Sequence, residues 1–147
     1  MVDGTQGDGK VLTSDGAGVG TWQTPYPVVI DVESGIFANV SKTTSTIATI
    51  NVPNTGVYLL TIFVNITGAT IPSDAITLEV WDGTTLKTAT TTYNKDHVLY
   101  ANISMVMGFY GNSNLTVKAN LPSWSTDATV NANGTYSLVQ VGPYNEN

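Results

Sequence analysis

The sequence predicts an all-β domain, a sandwich or barrel of eight to ten short strands. Three observations predict it. Runs rich in Val, Ile, Thr and aromatics recur at regular spacing, bounded by Gly, Asn, Asp and Pro clusters. No segment carries a helical apolar period of useful length. Threonine and asparagine are in large excess, while charged residues make up only 11% of the 147 residues. Soluble domains usually carry about 25%.

The chain opens with a glycine-rich stretch that opposes helix and favours turns. It fits either a flexible linker or two extended pieces, Lys10–Thr13 and Val19–Gln23, around an Asp15-Gly16 turn. Pro25 and Pro27 stiffen the exit. Residues 1–26 therefore read as a stalk or attachment segment, and 27–147 as the head.

The head begins with two short strands, Val28–Val32 and Ile36–Val40. Thr46–Val52 alternates, with Ile47, Thr49, Asn51 on one side and Ala48, Ile50, Val52 on the other. Val57–Ile66 follows the Pro53-Asn54-Thr55-Gly56 turn and is apolar on both faces. Ile76–Trp81 and Leu86–Tyr93 form a hairpin across Asp82-Gly83. Val98–Tyr110 places Leu99, Ala101, Ile103, Met105, Met107 and Phe109 on one face. Leu115–Leu121 and Gly134–Val141 complete the set.

A sandwich strand should have one core face and one wet face. Val57–Ile66 and Gly134–Val141 do not follow this rule, so one apolar face on each is an expected interface. The expected contact residues are Tyr58, Leu60, Ile62, Val64, Tyr136 and Leu138, with which of the two faces is outward left open.

Composition excludes several functions. The net charge is −6 and the pI about 4.3. Lysine is the only strong base, so phosphate backbones are poor partners and nucleic-acid binding is not expected. There is no Cys and a single His, His97, which removes thiol nucleophiles and Cys/His zinc sites. No Gly-x-Ser-x-Gly elbow is present. No apolar run is long enough to span a membrane, so no membrane insertion is expected. Asp31, Glu33, Asp82, Asp96 and Asp127 fall mostly in turns, where Asp bonds the backbone, so no catalytic residues and no enzyme activity are expected.

Two resemblances add to this. Val52-Pro53-Asn54-Thr55-Gly56-Val57-Tyr58 is similar to the "Val-Pro-x-x-Gly-x-Tyr" entry into the central inner strand of the C1q/TNF-like jelly roll. Ile76–Thr84 is similar to that family's outer hairpin, and Asn133–Gly142 to its final strand. The likeness spans Val28 to Gly142 and implies a jelly-roll β-sandwich forming a homotrimer. The leader, through Asp3-Gly4-Thr5-Gln6, Gly9–Asp15 and Gly20-Thr21-Trp22, resembles a connector of bacteriophage tail fibres, spikes and bacterial surface proteins. Together they imply a virion spike or fibre head. It would be held to another virion protein through its N-terminal segment and would attach to a host surface. A secreted bacterial adhesin or carbohydrate-binding module, outside the cell, is the alternative. So is a capsid-decorating trimer without a receptor.

Ligand candidates follow from exposed aromatics beside polar loops, since a flat ring packs on the C–H face of a sugar. They are Trp124 and Asp127 in one loop, Trp81 and Asp82 at the hairpin turn, and Tyr93, with Tyr110 weaker. Folding back onto the head, or plain packing, competes with ligand binding for Trp124 and Trp81. No metal ligands and no cofactor are expected. Ca2+ would have to use Asp74, Asp82 or Asp127, and no Asp-x-Asp-x-Asp-Gly loop supports it. Asn-x-Ser/Thr sequons begin at Asn39, Asn65, Asn102, Asn114 and Asn133 and read as incidental to the composition.

Overall fold

A computed structural model describes residues 4, 6–67, 75–93, 98–109, 112–123 and 130–144. Their strands are β1 (Val11–Ser14), β2 (Gly20–Gln23), β3 (Val28–Val40), β4 (Ser45–Val52), β5 (Gly56–Thr67), β6 (Ala75–Asp82), β7 (Thr85–Tyr93), β8 (Val98–Phe109), β9 (Ser113–Asn120) and β10 (Val130–Gly142). β1 and β2 pair with each other as a separate hairpin. The rest form two four-stranded sheets, β3-β10-β5-β8 and β4-β9-β6-β7. We call them sheet one and sheet two. Every pairing is antiparallel. The chain passes back and forth between the sheets, and first and last head strands lie side by side. This is jelly-roll connectivity.

Antiparallel strands with one dry face explain the core. Leu60, Val64 and Leu138 of sheet one meet Ile50, Leu78, Val80, Leu115 and Val117 of sheet two. Each large side chain taken out of water contributes roughly 1.5–3 kcal/mol, an upper figure because the unfolded chain already hides some surface. Tyr58 closes one end. Its hydroxyl donates to the Asn54 carbonyl at 2.9 Å, and its ring meets Phe109 edge-on at 6.0 Å. That bond gives a physical reason for a Tyr two residues after the turn glycine. The β6–β7 turn is two residues long, because Asp82 pairs with Thr85, and Gly83 takes the positive φ of 57° that the turn requires.

Three expectations are corrected. Tyr58, Leu60, Ile62, Val64, Tyr136 and Leu138 are core residues, each 5% exposed or less in a single chain, so none is available as a trimer contact. Their strands are apolar on both sides, and packing on sheet two claims the Tyr58–Leu60 side. Val28–Val32 and Ile36–Val40 are one continuous strand. Glu33, Ser34 and Gly35 pair in register with Tyr136, Thr135 and Gly134, between one-residue bulges at Ile30 and Phe37. The alternation in β4 also breaks. A register shift between Thr46 and Ala48 lets both Ile47 and Ile50 be buried.

The β3 ladder depends on a close approach. Gly134 pairs with Gly35 on one side and Val64 on the other. A Cβ at Gly134 would stand 2.5 Å from the Phe63 carbonyl oxygen and 2.7 Å from the Phe37 ring. The first of these is backbone and cannot swing aside.

Candidate functional site

With the core face fixed, the opposite side of sheet one is determined by register. Val29 pairs with Val139, Val139 with Leu59, and Leu59 with Val106. This apolar row crosses all four strands. At about 4.8 Å per strand it is about 14 Å wide. Val29 and Val106 are each 64% exposed. The next row is Val32, Ser137, Thr61 and Ser104, in which Thr61 and Ser137 hydroxyls lie 2.6 Å apart. Then come Ser34, Thr135, Phe63 and Asn102, and after them Asn133, Asn65 and Tyr100. Phe63 and Tyr100 stack diagonally, with centroids 6.5 Å apart and planes 23° apart. A hollow of about 360 Å³ opens beside them, lined by Thr61, Phe63, Asn102, Ser104 and Thr135.

This face carries no charge. Strands β5, β8 and β10 contain no Asp, Glu or Lys. The two carboxylates of β3, Asp31 and Glu33, pair opposite Leu138 and Tyr136 and so belong to the other side. The Tyr136 hydroxyl donates to Asp31 Oδ2 at 2.7 Å. Burial first, then the Asp31 carboxylate and Glu33, push the Tyr136 hydroxyl well above its ordinary range. Burial likewise raises Tyr58.

The outer face of sheet two is different. Trp81 and Glu79 stand two apart on β6, opposite Thr116 and Lys118 of β9. Trp81 Nε1 donates to Glu79 Oε2 at 2.8 Å, and Lys118 Nζ lies 4.5 Å from the Trp81 ring centroid. At the turn end of β6, on the core-facing side opposite Leu115, Asp82 accepts a 2.7 Å bond from the Ser113 hydroxyl and pairs with Lys87 at 3.3 Å. Thr77 and Thr91 join their hydroxyls at 2.9 Å.

These contacts decide among the ligand candidates. The Trp81 indole N–H is engaged by Glu79, and one face of its ring is covered by Lys118. Asp82 is engaged twice. Tyr93 is 72% exposed but pairs with Ala75, at the far end of β6 from Asp82. Seven residues of extended strand separate them, about 23 Å, so Trp81 and Asp82 do not share a site with Tyr93. Trp124, Asp127, Asp74, His97 and Tyr110 lie outside the described residues. No three His, Cys, Asp or Glu gather into a metal-ligating group among the described residues.

The sequence leaves open whether the Leu59–Phe63 or the Tyr58–Leu60 face of β5 is outward, and it does not single out Val29, Tyr100, Val106 and Val139. The signal available was the absence of charge from the β5, β8 and β10 segments. The sequon asparagines Asn65, Asn102 and Asn133 stand on this same outer face rather than among buried side chains.

No family model and no curated protein matches the chain. Among solved structures it is similar to a TNF protein, Eiger, from S. frugiperda. The identity is 14%, over 97% of this chain and 91% of that one, with a TM-score of 0.45. The jelly-roll assignment follows from the strand order described above.

Proposed function

We propose that the chain is a structural protein without catalytic activity, the head of a homotrimeric spike or fibre on a virion surface. The observation that carries this reading is the uncharged outer face of sheet one. Chains of net charge −6 repel one another, and copies can meet at low cost only where charge has been cleared. Interface cores are depleted in charged residues, as this face is, and the face carries the stacked Phe63–Tyr100 pair. Burying the Val29–Val139–Leu59–Val106 row contributes about 25 cal/mol for each Å² of apolar surface covered. A contact repeated head-to-tail closes into a ring when its rotation divides the circle evenly, and three copies is the number the family resemblance implies.

In that arrangement sheet two faces outward, with its side chains already engaged, and the head's loops meet the host. The likeness of the leader to phage-fibre connectors supports placement on a virion, held through the N-terminal segment. Antibodies against the head, applied to purified virions and imaged by electron microscopy, test the role. Label on projecting fibres or spikes is the expected result. Particles that carry none of the protein would overturn it.

A further inference from the structure

The N-terminal hairpin is built, not merely linked. Asp15 Oδ1 accepts from the Ala17 and Val19 amides at 2.9 and 2.8 Å, fixing the turn between β1 and β2. The Asp15 amide in turn donates to the Val19 carbonyl at 3.0 Å. Leu12 and Trp22 pair across the ladder on one face. Yet a lone two-stranded hairpin is at best marginally stable in water. This one pairs with no head strand and leaves both edges open. Leu12 is 49% exposed and Val19 56%. Trp22 Nε1 is shielded from water without an acceptor. Strand positions 11–14 and 20–23 carry no charge.

The cover must stand close by. Only residues 24–27 separate the hairpin from β3, and four residues reach at most about 14 Å. Val29, two residues further on, begins the apolar row on the proposed contact face. In the proposed trimer, the neighbouring copies stand against that face.

We infer that the hairpins of the copies pack on one another through the Leu12 and Trp22 face, making a second, N-terminal trimer contact continuous with the first. This inference rests on the trimer reading. The hairpin is then stable only in the assembly, because each copy supplies the apolar cover that the others lack.

Amide hydrogen exchange on the full chain, read beside its mass by light scattering, tests it. The expected result is a trimer whose β1 and β2 amides exchange at least roughly tenfold more slowly than open chain. In Leu12→Glu that protection should be lost while the mass stays trimeric. A trimer with unprotected hairpin amides overturns this inference and leaves the trimer reading intact. Protection that survives in Leu12→Glu, or in a chain made monomeric by Val106→Glu, also overturns it, since the hairpin would then need no copy. A monomeric mass for the unmodified chain overturns the trimer reading and this inference with it.

Discussion

The two outer faces of the sandwich cover the same core and are built on opposite plans. On sheet two the exposed polar groups are spent within the chain. Glu79 holds Trp81, Lys118 lies over that ring, and Thr77 meets Thr91. Such a surface has little to gain from a partner. On sheet one charge has been removed from three whole strands, and an apolar row runs the full width. The difference teaches that burial inside one chain does not use up the apolar residues of β5 and β10. The surplus is displayed on one side only. The β3 edge adds a related device. Its two carboxylates point to the inward side of an edge strand, which discourages open-ended strand pairing.

The largest contrast lies between two neighbouring leucines. Leu60→Ala opens the shared core and should cost about 2–5 kcal/mol. Leu59→Ala, one residue along on the outer face, should cost a separated chain less than about 1 kcal/mol. Urea unfolding of both variants at low concentration reads the contrast, and a reversed order would mean the faces have been exchanged.

Gly134→Ala forces a methyl against the Phe63 carbonyl and should cost about 1–3 kcal/mol, read as a lower thermal midpoint. A neutral result would show that the β5–β10 approach can relax.

A comparable loss, about 1–3 kcal/mol, is expected of Tyr136→Phe, which leaves Asp31 without its buried donor. The same contact predicts a pH dependence. In the unfolded chain tyrosine gives up its proton near pH 10, whereas the folded Tyr136 holds it to higher pH. Above pH 10 the unfolded state therefore binds fewer protons and stability falls as pH rises, while below pH 10 this contribution is intact. Unfolding midpoints that stay flat from pH 9 to 11 (a range set by the usual tyrosine value of about 10), in a comparison of Tyr136→Phe with the unmodified chain, would remove the contact from the account.

The smallest effect belongs to sheet two. Lys118→Ala loses one exposed cation–π contact and should cost about 0.5–1 kcal/mol, with no change in mass. A change in assembly on this substitution would assign sheet two a contact role.

Much of the fold was legible. The hairpin at Asp82-Gly83 and the inward set of β8 follow from alternation and turn chemistry, which are local. The side taken by Tyr58 and Leu60 was not legible, because β5 satisfies the core rule with either face inward. Only the opposite sheet decides. β3 looked broken at Gly35 because a strand's continuity there depends on Gly134, a hundred residues away in sequence. The candidate contact face has the same cause of obscurity. Val29, Leu59, Val106 and Val139 are scattered along the chain and become a row only through register. Trp81 beside Glu79 is the local counterexample, since residues two apart on a strand share a face.

The most direct measurement is the mass of the full chain by light scattering at micromolar concentration, beside Val106→Glu and Thr116→Glu. The account predicts three times the 15.5 kDa chain mass for the unmodified protein and for Thr116→Glu, and a single chain mass for Val106→Glu. A monomeric unmodified chain, or a trimer that only Thr116→Glu dissolves, would contradict it.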